Sequence, residues 1–228
     1  CASNVEGLII GSNFINSGII NNCLCGTSSH NMSSEKQFRN PTEYGAPKPE
    51  TATFTATGGA SAVISNKKSN IKIESATIGR IVDYNQKDAL NMGAVMACAA
   101  ADTLKRHLDD LNRKEDYYDL ILTGDLGLYG REILKEFMMK EHKINISCNY
   151  NDCGVMLYDL EEQKEVLAGG SGPVCSALVL YGFILNEMKK KNIKKVLLIA
   201  TGALFSPTML YQKENILSIA HAISLEAI

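Results

Sequence analysis

Apolar side chains recur at helical spacing through Val174, Leu178, Tyr181 and Leu185, with Ala177, Leu180 and Ile184 on the adjoining face. A helix apolar over so much of its circumference is expected inside a domain. Ahead of it stands Gly169-Gly170-Ser171-Gly172-Pro173. Such a flexible turn lets backbone N–H groups face a common point, and the proline suits a first helical turn. Lys189, Lys190 and Lys191 then fit the negative end of the helix dipole. Val196–Ala200 is too short for a helix and too apolar for a loop, so it reads as a buried strand. Thr201-Gly202 closes the unit at the strand's carboxyl end, where open α/β sheets place their ligands.

The rest of the chain alternates in the same way. Residues 3–17 predict a buried helix, and Ile19–Gly26 the strand after it. The polar stretch 27–49 holds three of the five prolines, and Ser33-Ser34-Glu35 starts a short helix ending before Pro41. A long irregular segment of this kind reads as functional. Thr51–Ser65 alternates as one strand with a bulge or close approach at Gly58-Gly59, and Ile71–Asp83 is a second long strand. Helices over Ala94–Leu111 and Glu132–Lys143 flank a buried strand at Leu120–Thr123. Gly154–Tyr158 and Val166–Leu167 are expected to form a hairpin, and Ile216–Leu225 the last strand. His107 and His142 are expected at the surface, and His221 in packing.

The opening of the chain repeats the later unit. Cys1 and Cys175 each precede an apolar helix, a short strand and a threonine, with Thr27 and Thr201 at the same offset of 26 residues. In that register Leu24 falls on Leu198 and Gly26 on Ala200. Duplication of one α/β unit is the expectation. From residue 71 the order is β-α-β-α-β-α-β-β, but from residue 1 it is α-β-β. The first half is thus expected to lack everything before its central helix, on the order of 100 residues, and the start at Cys1 reads as a truncation.

Composition narrows the class. Apolar residues make up 45% and charged residues 21%, ordinary for a globular protein, and a net charge of −2 gives no electrostatic case for nucleic acid. No apolar run is long enough to cross a bilayer, and no signal peptide is visible. Seven cysteines without metal-type spacing fit free thiols in a reducing compartment. Alternation along the strand is taken to send the sulfurs of Cys23 and Cys25 to opposite sides.

A cysteine at the start of a buried helix is placed where the dipole stabilises a thiolate. Two such units facing each other resemble the thiolase superfamily, and Cys1-Ala2-Ser3 resembles the nucleophile on its first central helix. The second half of those enzymes contributes His or Asn in patterns such as GGxxxxGHP or GNTS; the matching loop here, Gly169–Pro173, has neither. Where relatives carry a catalytic His, this chain has Asn149-Tyr150-Asn151-Asp152-Cys153-Gly154. Asn151 can donate to an oxyanion, Asp152 has the wrong charge, Ser171 is a poor base, and His30 is the candidate substitute base. The resemblance implies an α/β fold of duplicated mixed-sheet layers with buried central helices. Residues 1–66, with the loop 27–50, would be the C-terminal part of an incomplete first half, and 71–228 a complete second half.

Further motifs narrow the resemblance: SSHN at 28–31, EKQFRNPTEYG at 35–45, ADTLKRHLDDLNR at 101–113, YDLILTGDLG at 118–127, NDCG at 151–154, AGGSG at 168–172 and ATGALFSPTM at 200–209. Together, over essentially the whole chain, they resemble the stage V sporulation AD family of spore-forming Firmicutes. That resemblance implies a non-catalytic thiolase-like subunit that binds dipicolinic acid and takes part in its uptake into the developing spore. Its partners would be membrane channel proteins of the same operon. It would be a soluble protein at the inner spore membrane, without a metal of its own; whether calcium accompanies the ligand, and whether the chain dimerises, stay open. The competing reading is a Cys-dependent acyltransferase or condensing enzyme using Cys1 with His30 or Asn151. A third is a scaffold docking onto a channel with a vestigial pocket.

Dipicolinate is a flat pyridine with two carboxylates, so its site needs N–H donors, a cation or imidazole, hydroxyls and an apolar wall. The helix starts at Cys1 and Ser171–Cys175 offer the first, and Arg39, His30, Ser28 and Ser29 the second and third. Tyr44 or Phe38 offers the wall. Arg39 reads equally as a partner of Glu35 or Glu43 that holds the loop together. The expected ligand-binding set is Cys1, Ser28, Ser29, His30, Arg39, Asn151, Asp152 and Ser171.

Overall fold

The computed structural model describes residues 1–34 and 47–228. In chain order, α1 (Ser3–Asn16), β1 (Asn22–Ser29) and α2 (Asn31–Ser34) precede β2 (Phe54–Thr55), β3 (Gly58–Ser65) and β4 (Ile71–Thr77). The chain continues through α3 (Met92–Asp110), β5 (Leu120–Thr123), α4 (Gly127–His142), β6 (Tyr150–Asp152), α5 (Cys153–Leu157) and β7 (Gly170–Ser171). One continuous helical stretch follows: α6 (Cys175–Val179), a π-type segment (Leu180–Ile184) and α7 (Leu185–Lys189). Then come β8 (Lys195–Ala203), α8 (Pro207–Tyr211) and β9 (Ser218–Ala227).

Five strands build the main sheet in the order β4-β9-β8-β5-β6. β5 runs parallel to β6 and β8, while β9 is antiparallel to β8 and β4. The apolar run of β8 is buried on both faces, which is why it shows no polar alternation. Leu197 and Ile199 pack with α3 residues such as Ala97, Ala100 and Leu104. Val196, Leu198 and Ala200 pack on the other side with Val5 and Leu8 of α1 and with Val179, Leu180 and Ile184. Small residues let α3 and α4 touch: a Cβ on Gly130 would lie 2.8 Å from Gly93 Cα, so both positions must be bare.

A second, two-stranded ribbon forms from β1 and β3, paired antiparallel. Cys25 and Ile64 of this ribbon join the core containing α1 and the helix from Cys175 to Lys189, so these central helices lie between ribbon and sheet. This is the layered, mixed α/β fold expected. β1 follows α1 as β8 follows α6 and α7, and β3 lies antiparallel to β1 as β9 does to β8.

Several expectations are corrected. The gapless repeat register fails in the strand: Leu198 is buried among the central helices, whereas Leu24 is 69% exposed on the ribbon's outer face. A one-residue slip reverses every side chain of a strand, so Cys25, not Leu24, occupies the inward position. Cys23 and Cys25 share a face, as residues two apart in a strand must, with sulfurs 3.8 Å apart. Ile19 and Ile20 belong to the turn before β1, their N–H groups bonded to Phe14 O. The expected strand 51–65 is two strands, because β2 leaves to pair parallel with β7.

The long strand from Ile71 ends at Thr77, and α4 begins at Gly127, earlier than Glu132. In place of the hairpin stand α5 and a 3-10 turn at Lys164–Val166; Asp152 caps α5 by accepting the Val155 N–H at 3.3 Å. His107 is buried rather than at the surface, with Thr77 Oγ1 2.7 Å from Nδ1 and the Tyr118 hydroxyl 2.6 Å from Nε2. These hydroxyls replace water, and burial pulls the imidazole down to about 4.

Candidate functional site

Strand ends and helix starts meet at one edge of the sheet. Asp125 follows β5, Ala203 and Phe205 lie at and beyond the end of β8, and Met92 and Met96 belong to the first turns of α3. Together they line a cavity of about 320 Å³. Cys1 reaches it from just before α1, Ser171 from β7 and Gly172 from the turn after it. Thr51, Ala52, Thr53 and Thr55 close the side at β2, while Ala89, Leu90 and Ser34 complete the lining.

Short local pairings set this geometry. Thr55 stands beside Ser171 in the β2–β7 pair, and Ser171 O accepts the Ala56 N–H at 2.9 Å. Gly172 has φ +97°; a Cβ there would meet Thr55 Cγ2 at 3.0 Å and Ser29 Oγ at 3.3 Å. Asp125 is buried, and its carboxylate accepts the Gly172 N–H at 3.0 Å and the Thr201 hydroxyl at 3.3 Å. It therefore ties the glycine turn to the ends of β5 and β8. The described lining contains no Lys, Arg or His. Its lining combines hydroxyls, a thiol and a carboxylate with the apolar side chains of Met92, Met96, Leu90 and Phe205. Such a cleft suits a small ligand with a polar rim and a flat apolar face.

The model of the family Stage V sporulation protein AD (SpoVAD) matches residues 1–226. The chain belongs to that family. It is 46% identical over 226 residues to stage V sporulation protein AD of Bacillus subtilis (strain 168), covering 99% of this chain and 66% of that protein. The chain thus spans slightly less than two thirds of the curated relative. Its fold is similar to that of 3-oxoacyl-[acyl-carrier-protein] synthase III from Aquifex aeolicus VF5, with TM-score 0.60 at 12% identity over 99% of this chain and 64% of that one. A tetronic acid condensing enzyme matches with TM-score 0.57 at 13% identity, over 100% of this chain and 66% of the other. At such identities the likeness is one of fold.

Within this member of the family, the structure brings together only part of the expected site. Cys1 and Ser171 line the cavity. Ser29 is half-buried at its border near Gly172, with its hydroxyl donating to Ala56 O at 2.7 Å. Ser28 and His30 are exposed outside the lining, and the His30 carbonyl accepts the Ser34 N–H. Asn151 also lies outside it; its Oδ1 accepts from Arg131 at 3.1 Å and from its neighbour's backbone. Asp152 is fully buried and occupied: Thr123 Oγ1 donates to it at 2.6 Å, and the N–H groups of Leu126 and Gly127 at 2.8 and 2.9 Å. Burial raises its pKa to about 6 despite those bonds, with Asp125 adding to the rise. Arg39, Phe38, Tyr44, Glu35 and Glu43 lie outside the described residues.

The two helix-start cysteines are not equivalent. Cys175 is sealed in the core, and burial, reinforced by Asp125 and Cys153, pushes its thiol well above the usual range. Sequence reasoning missed Asp125, Thr53, Thr55, Met92 and Met96. Asp125 carried a usable signal, since with Gly124 it follows a buried strand at the carboxyl edge where ligands collect.

Proposed function

We propose that this chain is part of a non-catalytic, thiolase-like subunit that binds dipicolinic acid in the cavity at Cys1. It takes part in uptake of that acid into the developing spore together with membrane channel proteins. The observation that carries the reading is the cavity's chemistry. A thiolase-type nucleophile position opens onto hydroxyls and an apolar wall, with no imidazole in the described lining to activate the thiol. Ser171, Thr53 and Thr55 would meet the carboxylates, and Met92, Met96 and Phe205 the pyridine face. Asp125 opposes a bare dianion, so a calcium ion entering with the ligand would offset its charge. Arg39 is retained in the proposed site as a carboxylate partner.

We take residues 1–66 as the C-terminal part of a first half and 71–228 as the second half. The ribbon supports this division, having, among the described residues, two strands where the equivalent sheet has five. Peripheral association with the inner spore membrane belongs to the same proposal; among the described residues no helix is long and apolar enough to cross a membrane.

One observation favours the enzyme reading: Asp125 lines the same cavity as Cys1 and is a proton acceptor. Titration of the intact protein with dipicolinate, its 3,4-dicarboxylate isomer and an acyl-thioester separates the two. Saturable binding selective for dipicolinate without thioester turnover is the expected result. Acylation of Cys1 without dipicolinate binding would establish the acyltransferase instead.

A further inference from the structure

The helix from Cys175 to Lys189 winds through a π-type segment at Leu180–Ile184. Such segments are rare and concentrate at functional positions. Tyr181 sits in it, and its hydroxyl donates to Asn4 Oδ1 at 2.7 Å. Asn4 Nδ2 in turn donates to Ser176 Oγ at 3.3 Å. Asn4 is buried one turn after Cys1, and Ser176 lies in the first turn of α6, just beyond the Ser171–Gly172 wall of the cavity. One amide thus ties the start of one central helix to both the start and the π segment of the other.

The surroundings make this tie directional. Val5, Leu8, Val179 and Leu180 form the apolar layer around it, where an unpaired amide or phenol is costly. Rotation or sliding of α1 against its neighbour would break both bonds and leave the buried Asn4 amide unpaired. Burial pushes the Tyr181 phenol up to about 12, so it remains a donor at neutral pH. The N-terminal turn of α1 is also seated from below: a Cβ on Gly202 would lie 3.9 Å from Ala2 Cβ.

We infer that Asn4 and Tyr181 are positioning residues whose hydrogen bond sets how α1 presents Cys1 to the cavity wall at Ser171. The inference rests on the cavity at Cys1 being the functional site, but not on the ligand being dipicolinate.

The test uses iodoacetamide on the intact protein, with alkylation of each cysteine followed by peptide mass mapping. Tyr181→Phe removes the hydroxyl and almost no volume; Asn4→Leu removes the amide; the double variant completes a cycle. The expected result is a change of about fivefold in the Cys1 alkylation rate in each single variant, the scale of one hydrogen bond. The double variant should change no further. Exposed Cys148 should react as before, and buried Cys153 and Cys175 should stay protected. An unchanged Cys1 rate in Tyr181→Phe would overturn the inference. So would additive effects in the double variant, or Cys153 and Cys175 becoming reactive in step with Cys1, which is general loosening. Loss of dipicolinate binding alone bears on the ligand, not on this pair.

Discussion

Asp125 accepts the backbone N–H of Gly172 at 3.0 Å across 47 residues of sequence. That bond holds the glycine turn against the end of β5 and shapes the wall that Ser171 presents. Replacing Asp125 by Ala leaves a buried N–H unpaired, at a cost of about 1–3 kcal/mol. We expect a lower thermal midpoint. An unaltered midpoint would remove Asp125 from the cavity's construction.

Asp152 has a different part. Its two oxygens receive the Thr123 hydroxyl and the Leu126, Gly127 and Val155 N–H groups. In Asp152→Asn an amide NH₂ must face one of these donors, so chemical denaturation should show a loss of about 2 kcal/mol. Because its folded pKa of about 6 lies above the ordinary carboxylate value of 3.8, its ionisation costs stability as pH rises between those values. The Asn variant should lose that pH dependence. Iodoacetamide labelling of Cys1 should not change.

His107 reports on the far side of the sheet. Its folded pKa of about 4 lies below the ordinary 6.5. The unfolded chain therefore takes up a proton first, and stability present above pH 6.5 is lost as pH falls toward 4. The shift corresponds to about 3 kcal/mol at most. Melting curves across this window should show the loss in the wild type and a shallower slope in His107→Gln.

Leu24 lies directly opposite Val63 on the ribbon, and the two are 69% and 70% exposed. In the second half the matching face of β8 and β9 is covered by α3. If the first half is completed in the same way, Leu24→Lys costs about 2–3 kcal/mol in the intact protein and almost nothing in the 228-residue chain. Equal, small losses in both would argue against the division into two equivalent halves.

Much of this fold was legible because burial on both faces writes itself as continuous apolar runs. Leu120–Thr123, the Val196–Ala200 core of β8 and the helix through Val174 and Leu185 were all visible in this way. Of the cavity lining, Cys1 and Ser171 carried a local signal, one at a helix start and the other in a glycine turn. What escaped depends on partners distant in sequence. Tyr150-Asn151-Asp152 is short and polar, and becomes a strand only through pairing with β5. The two-residue pairing of β2 with β7 has no local signature. His107 looked solvated because the hydroxyls that bury it come from β4 and Tyr118. The repeat register slipped by one because the matched Cys1 and Cys175 align the helix starts, whereas the intervening turn sets which face a strand shows.

The most direct test of the central claim is the rate of iodoacetamide alkylation of Cys1 in the intact protein as dipicolinate is added. A ligand in this cavity predicts saturable protection of Cys1, with the midpoint found by calorimetry and none from the 3,4-dicarboxylate isomer at the same concentrations. Cys1 reacting at the same rate when dipicolinate is saturating would contradict the account and place the ligand elsewhere.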